Sequence, residues 1–164
     1  MSNFHPVAAT IESILNEGGF WYERFEHEPV RTSEEASRVR PEYSLRQGAK
    51  SLILKGKRGS AGRQFIMVVV PGDRQFDKQK LRDQTGYSDV RFATPDEVGH
   101  LTGGIIPGGV PPWGNLFNLP VFADTAIFAN KKIIFNAGDR SVSVAMYSED
   151  YRKLAKPQVY ELTQ

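Results

Sequence analysis

The chain has 164 residues, a formal net charge of +2, 40% hydrophobic and 24% charged residues, and no cysteine. This suits a single domain, residues 1–164, with a sizeable core, and the lack of cysteine excludes disulfides, cysteine nucleophiles and thiolate metal sites. No basic segment followed by an apolar run opens the chain, and the longest apolar run, Phe65 to Val70, is far too short to span a bilayer, so a cytoplasmic protein without membrane contact is expected.

Val7, Ile11, Ile14 and Leu15 recur at helical spacing, and Gly18-Gly19 stops the run. Phe20 to His27 reads as a strand. Thr32-Ser33-Glu34-Glu35 is a capping box that starts a short helix ending near Arg40. Ser51 to Leu54 and Gln64 to Val70 read as a hairpin around the basic turn Gly56–Gly62. Asp77 to Thr85 is a helix stopped by Gly86, and Val90 to Ala93 is a short strand. Thr94-Pro95-Asp96-Glu97 is a second capping box with proline at the first helical position. Strands are expected at Val121–Phe128, Lys132–Asn136 and Ser141–Met146. Ser148 caps a last helix that stops near Pro157, and Val159-Tyr160 adds an edge strand. Helices and strands are mixed with little βαβ alternation. The expected class is α+β, a mixed and mostly antiparallel sheet flanked by short helices.

Between the second capping box and the strand at Val121 lies the densest glycine and proline segment. Residues 102–114 hold five glycines and three prolines. Glycine permits positive φ and close approach to the main chain, while proline fixes φ and removes a donor. Such a loop is either a long structural turn or a cradle whose few N–H groups hold an anion or a developing oxyanion. Pro107, Pro111 and Pro112 cannot donate, so the donors of the loop core are Gly108, Gly109 and Val110.

Other chemical signatures are sparse. There is no G-x-S-x-G, H-E-x-x-H, P-loop or dinucleotide fingerprint. His5, His27 and His100 lack metal-ligand spacing, and neither metal nor cofactor is expected. Charge is unevenly spread. From Ile11 to Glu35 seven acids face two arginines, and from Arg38 to Arg63 eight bases face Glu42 alone. A solvated face is the commoner reading of such a block; a polyanion such as RNA is the other.

His27-Glu28-Pro29, Thr32-Ser33-Glu34-Glu35-Ala36 and Gly48-Ala49-Lys50-Ser51-Leu52-Ile53-Leu54 together resemble the opening of the YbaK/ProX family of aminoacyl-tRNA deacylases, relatives of the editing domain of bacterial prolyl-tRNA synthetase. The resemblance continues through Thr102-Gly103, Gly108–Gly114, Val121-Phe122-Ala123-Asp124 and Ala137-Gly138-Asp139-Arg140. It implies a YbaK-like fold and a trans-editing hydrolase that cleaves the ester between a wrong amino acid and the 3′ end of tRNA. Lys50 is then the family's signature lysine, set to contact the terminal adenosine or the ester, and Gly108 and Gly109 offer N–H groups to the carbonyl oxygen. His27, Thr32 and Asp124 line or brace the pocket, with Pro111, Trp113, Gly114 and Gly138 beside the substrate and Trp113 limiting its size. The activated ester needs positioning, an oxyanion site and a water, which the substrate's own ribose hydroxyl orients. Arg38, Arg40, Arg46, Lys55, Lys57 and Arg58 are expected on tRNA phosphates. The implied partners are charged tRNA and an aminoacyl-tRNA synthetase. Asn136-Ala137 stands where the alanine-specific editors carry His-Pro, and Arg140 replaces an Asn, so the YbaK-type branch fits better. The alternative is a non-catalytic module of the same fold that binds tRNA or a synthetase; a hydrolase of another small acyl ester is a third reading.

Overall fold

The computed structural model describes residues 4–29 and 32–164. Arg31 of the acidic stretch lies outside the described residues. Helix α1 (Val7–Gly18) turns Val7, Ala8, Ile11 and Leu15 inward, and Gly19 ends it with φ +70°. Strand β1 (Tyr22–Glu26) follows. Helix α2 (Ser33–Val39) begins where Thr32 Oγ1 accepts from the Glu35 N–H at 3.1 Å, one half of the expected box.

Strands β2 (Ala49–Lys57) and β3 (Arg63–Pro71) form the expected hairpin, longer at both ends than the apolar pattern suggested. Helix α3 (Lys78–Thr85) is capped by Asp77, strand β4 (Ser88–Phe92) returns to pair with β2, and helix α4 (Pro95–Thr102) carries the full capping box of Thr94 and Glu97. After the glycine loop come β5 (Val121–Asp124), β6 (Lys132–Asn136), β7 (Val142–Tyr147), α5 (Ser148–Ala155) and β8 (Gln158–Tyr160). Two expectations are corrected. The strand from Val121 stops at Asp124, because the Asp124 carboxylate accepts from the Ala126 N–H and starts a 3₁₀ turn over Thr125–Ala129. Ser148 is the first residue of α5 rather than its cap, and its hydroxyl donates to the Asn130 carbonyl.

The strands form two sheets. One is antiparallel, in the order β1-β7-β6; the other is mixed, in the order β4-β2-β3-β5-β8. β3 and β5 are parallel, as are β5 and β8. Parallel neighbours require long crossovers. The first carries α3, β4, α4 and the glycine loop, and the second carries β6, β7 and α5. The fold is therefore α+β, with both connections packed against the sheets they leave.

The largest core cluster joins α1 to the inward residues of both sheets, including Ile53, Met67, Val69, Phe135 and Val144. A second cluster lies on the other face of the larger sheet, where Leu81 of α3 and Leu162 meet Leu54, Ile66, Val68 and Phe122. On the outer face of the smaller sheet Tyr43 covers Ile134 and Ala145. Its hydroxyl donates to Glu23 Oε1 at 2.8 Å, and burial first, then Glu23, pushes the phenol above its ordinary range.

Asp124 is a tether. Its buried carboxylate accepts from the Leu162 N–H at 2.7 Å and the Thr163 hydroxyl at 3.3 Å, as well as from Ala126. It holds the chain end on β5. Asp124→Ala strands these donors, and leaving buried polar groups unmet costs about 1–3 kcal/mol. Urea melts are expected to shift to a lower midpoint by that amount, with Asp124→Asn falling between the variant and the parent; an unchanged midpoint in Asp124→Ala removes the tether.

Candidate active site

The loop begins with a turn dictated by its sequence. Pro107 stands at the second position of the tetrapeptide Ile106–Gly109 and Gly108 at the third, where its φ is +92°. The Gly109 N–H donates to the Ile106 carbonyl at 3.0 Å. This is a type II turn, which favours proline and requires glycine or asparagine at those two positions. The expectation that Gly109 offers its N–H to a substrate is thereby corrected, since the turn consumes it.

The neighbouring peptides point the other way. Arg140 Nε and Nη2 donate to the Pro107 carbonyl at 3.0 and 2.5 Å. A trans peptide sets its N–H opposite its carbonyl, so the Gly108 N–H faces away from Arg140, and among the described residues nothing accepts from it. The Gly109 carbonyl receives the Gly138 N–H at 2.7 Å. The Val110 N–H is turned away in the same manner and also has no acceptor among the described residues. Asn136 Nδ2 donates to the Gly108 carbonyl at 2.7 Å, and Ser51 Oγ to the Val110 carbonyl at 2.5 Å. Gly108 is exposed, whereas Gly109 and Val110 are buried. The arrangement is a rigid arc of held carbonyls with unused N–H groups at Gly108 and Val110, a geometry that suits an oxyanion.

Lys50 lies on the same side. Gly48 bridges Ile134 in the parallel sense, joining the start of β2 to β6. Side chains alternate along both strands, so two residues on, Lys50 and Asn136 project to one face. Lys50 is exposed and its ammonium makes no ion pair with a described residue. Ser51, pointing inward, ties β2 to the loop from beneath.

His27 reaches this face through Ser143. Its Nδ1–H donates to the Glu28 carbonyl at 2.8 Å, and its Nε2 lies 2.7 Å from Ser143 Oγ. Arg40 Nη1 donates to the same oxygen at 2.7 Å, and Ser143 reaches Asn136 Oδ1 at 3.2 Å. His27, Arg40, Ser143 and Asn136 thus form one chain of hydrogen bonds ending on Gly108. Arg40 is only 6% exposed, and burial pulls its guanidinium down to about 10. It stays charged at neutral pH but is enclosed, so its expected phosphate contact is corrected to an internal one.

The remaining sequence candidates are dispersed. Trp113 is fully buried in the core between Phe135 and Tyr151, and its Nε1 finds no partner among the described residues. It supports the loop from below and cannot be the wall of an open pocket. Pro111 is buried beside it, and the Pro112 carbonyl accepts from the Tyr151 hydroxyl at 2.6 Å. Gly114 is buried too; a Cβ there would meet the Leu119 carbonyl at 2.8 Å. Gly138 has φ +96°, and a Cβ would run into Val7 of α1. These glycines serve close packing beneath the loop, and Asp124 holds the chain end instead of lining the site. Thr32 is exposed at the start of α2. Arg38 on α2 and Arg46, just before β2, are exposed. Lys57 and Arg58 are exposed at the hairpin tip, where Arg58 lies over the Tyr87 ring at 4.5 Å, and Lys55 lies over Phe65 at 4.9 Å.

Sequence reasoning missed Asn136 and Ser143, and it gave Arg140 no role. Ser143 had a faint signal, as the single hydroxyl in the apolar run Val142–Met146. Asn136 stands out in the sequence only as a departure from the His-Pro of the alanine-specific editors, and its hydrogen-bond partner lies 28 residues away. Among the described residues no group of histidine and carboxylate side chains could hold a metal ion, and no helix is long and apolar enough to cross a membrane.

The model of the aminoacyl-tRNA editing domain family matches residues 27–154. The chain is 32% identical over 148 residues, 90% of its own length and 87% of the other's, to the multifunctional Ser/Thr-tRNA deacylase ProXp-y of Escherichia coli (strain K12). It is 29% identical over 139 residues, 82% of each chain, to the prolyl-tRNA editing protein ProX of Acetoanaerobium sticklandii. A crystal structure of a candidate trans-editing enzyme for prolyl tRNA synthetase superimposes with a TM-score of 0.80, covering 99% of both chains at 25% identity.

The brace on the turn is open to direct measurement. Arg140→Ala frees the Pro107 carbonyl, and the turn then opens more often. The Gly109 amide should exchange with solvent about tenfold faster or more, as expected for the loss of about 1.4 kcal/mol, while exchange in β3 is unchanged. Equal protection of Gly109 in both proteins would show that the turn needs no arginine.

Proposed function

The chain belongs to the aminoacyl-tRNA editing domain family, and from that premise we propose that it is a trans-editing deacylase whose oxyanion site is the outward face of the turn at Gly108. The observation that carries this reading is the pattern of held carbonyls, which leaves the Gly108 and Val110 N–H groups without acceptors among the described residues; Lys50, exposed and on the face of Asn136, adds a positive charge. The family resemblance in the motifs is borne out along with the deacylase activity it implies. The assignment of individual residues is ours.

The reaction is hydrolysis of the ester between an amino acid and the terminal ribose. Water adds to the carbonyl carbon, and the negative charge that develops on the carbonyl oxygen is met by the Gly108 N–H, with Val110 beside it. The carbon–oxygen bond to the ribose then breaks, and the ribose hydroxyl leaves with the proton given up by the water. Donors held in place before the reaction cost no reorganisation during it. Lys50 supplies a positive charge for the oxygen-rich 3′ end. Asn136, backed by Ser143, His27 and Arg40, acts as a positioning residue by holding the Gly108 carbonyl.

Charged tRNA is the partner, and Lys57 and Arg58 at the hairpin tip are suited to its phosphates. Lys57 stands seven residues along β2 from Lys50, roughly 23 Å at ~3.3 Å per residue, with Arg58 just past the strand end, far enough to touch the tRNA body while the 3′ end occupies the site. A synthetase as a second partner is a further proposal, supported by the name of the structural relative.

A panel of mischarged tRNAs tests the reading, with seryl, threonyl, prolyl and alanyl esters at its head because relatives are named for the first three residues. Release of amino acid at catalytic protein concentrations is expected; tight binding without release would favour the non-catalytic module. In the same assay Lys50→Ala should abolish turnover with an unchanged melting temperature, and full activity in the folded variant would remove Lys50 from the mechanism.

Asn136→Ala frees the Gly108 carbonyl, whose peptide carries the Gly109 N–H of the turn, so the turn that presents the Gly108 N–H loosens. Since removal of one oxyanion donor lowers kcat by roughly 10²–10³, loss of its orientation is expected to lower kcat by about tenfold to a hundredfold with KM little changed. A rise in KM alone would instead put Asn136 in ground-state binding.

The pair Lys57→Ala/Arg58→Ala should raise KM for charged tRNA and flatten its salt dependence, leaving hydrolysis of a minimal aminoacyl-adenosine ester near normal. Equal loss on both substrates would place the tip in the pocket.

A further inference from the structure

A cleft of about 540 Å³ is lined by Lys50 and by none of the residues of the glycine loop. Lys50, exposed, and Leu52, half-buried, line it from β2, with Phe92 at the end of β4 and Phe76, Asp77 and Lys78 at the start of α3. Phe92 pairs with Leu54 across the strands, so it shares the face of Lys50, roughly 13 Å along β2 at ~3.3 Å per residue. Phe92 is 53% exposed, one of two large apolar side chains so open to solvent among the described residues. The ammonium of Lys78 lies 5.7 Å from the centre of its ring. The acid in the cleft is already engaged, since Asp77 accepts from the Gln79 and Lys80 N–H groups at 2.9 and 3.2 Å.

We infer that this cleft is a stacking site for an unpaired base of the tRNA 3′ terminus, with Phe92 as the platform and Lys50 and Lys78 placed for the flanking phosphates. The inference rests on the deacylase reading for the identity of the partner. An exposed aromatic ring between two lysines is the combination that holds single-stranded nucleic acid: the ring takes any base by its π-face, and the cations follow the backbone. The 3′ end is single-stranded where it must reach Gly108, and Lys50 and Phe92 lie on one face of the sheet. A protein partner would more naturally meet a broad apolar patch than a single ring flanked by ammonium groups.

The test uses the intact protein and two uncharged RNA minihelices of one acceptor stem, one ending in CCA and one lacking those three nucleotides, with Kd read by fluorescence anisotropy. The parent protein should bind the CCA minihelix more tightly than the truncated one. Phe92→Leu, which keeps an apolar side chain but loses the ring, should weaken CCA binding roughly five- to a hundredfold, the span of base–aromatic stacking, and leave the truncated RNA unaffected. Phe92→Trp should restore the difference. Circular dichroism of each variant establishes that it folds. If the parent binds both RNAs equally, or if Phe92→Leu matches the parent on both, the stacking site is wrong. Failure of the deacylase reading shows separately, as a parent protein that releases no amino acid from any charged tRNA whatever its RNA affinity.

Discussion

Four consecutive carbonyl oxygens, those of Pro107, Gly108, Gly109 and Val110, are each held by a donor from elsewhere in the chain. The donors are Arg140, Asn136, the Gly138 N–H and Ser51. Everything the site can do depends on this restraint. A peptide whose carbonyl is fixed has its N–H fixed on the opposite side, so the Pro107 and Gly109 carbonyls set the Gly108 and Val110 donors before any ligand arrives, while the Gly108 and Val110 carbonyls hold the turn and the chain that follows it. Glycine makes the arc possible, because position 108 needs a positive φ, and a Cβ there would stand 3.0 Å from Arg140 Nε.

The sheet topology explains how these donors gather. Three of the four come from the end of β6 and the connection to β7, and the fourth comes from β2. The two sheets meet where Gly48 bridges Ile134, and the loop closes the opening between them. Beneath it the core is dense. Trp113, Tyr151 and Phe135 pack against one another, and burial drives the Tyr151 phenol well above its ordinary range while its hydroxyl holds the Pro112 carbonyl. A loop of glycine and proline is stiff here because its underside is anchored, not because of composition alone.

The basic block divides by depth. Arg40 faces inward to Ser143, while Arg38, Arg46, Lys50, Lys57 and Arg58 remain at the surface. Enclosure turns one arginine of the block into part of the scaffold that holds the site, and the exposed members keep the long-range field that draws a polyanion. Burial, not residue type, separates these roles.

Local signals were legible in the sequence. The stop at Gly19, the Thr94–Glu97 capping box, the β2–β3 hairpin and the Pro107-Gly108 turn each arise from residues a few positions apart, where propensity and capping act. Lys50 and the glycine loop stand out in the sequence through their resemblance to a known family. What the sequence could not decide is which N–H the loop leaves free, which arginine is enclosed, and whether Trp113 and Asp124 face a ligand or the core. Those outcomes depend on partners far along the chain: Asn136 lies 28 residues from Gly108, Ser143 116 from His27, and Leu162 38 from Asp124. Only the packed tertiary structure brings such groups within hydrogen-bond distance, and a donor's availability is fixed by the acceptor that folding sets before it.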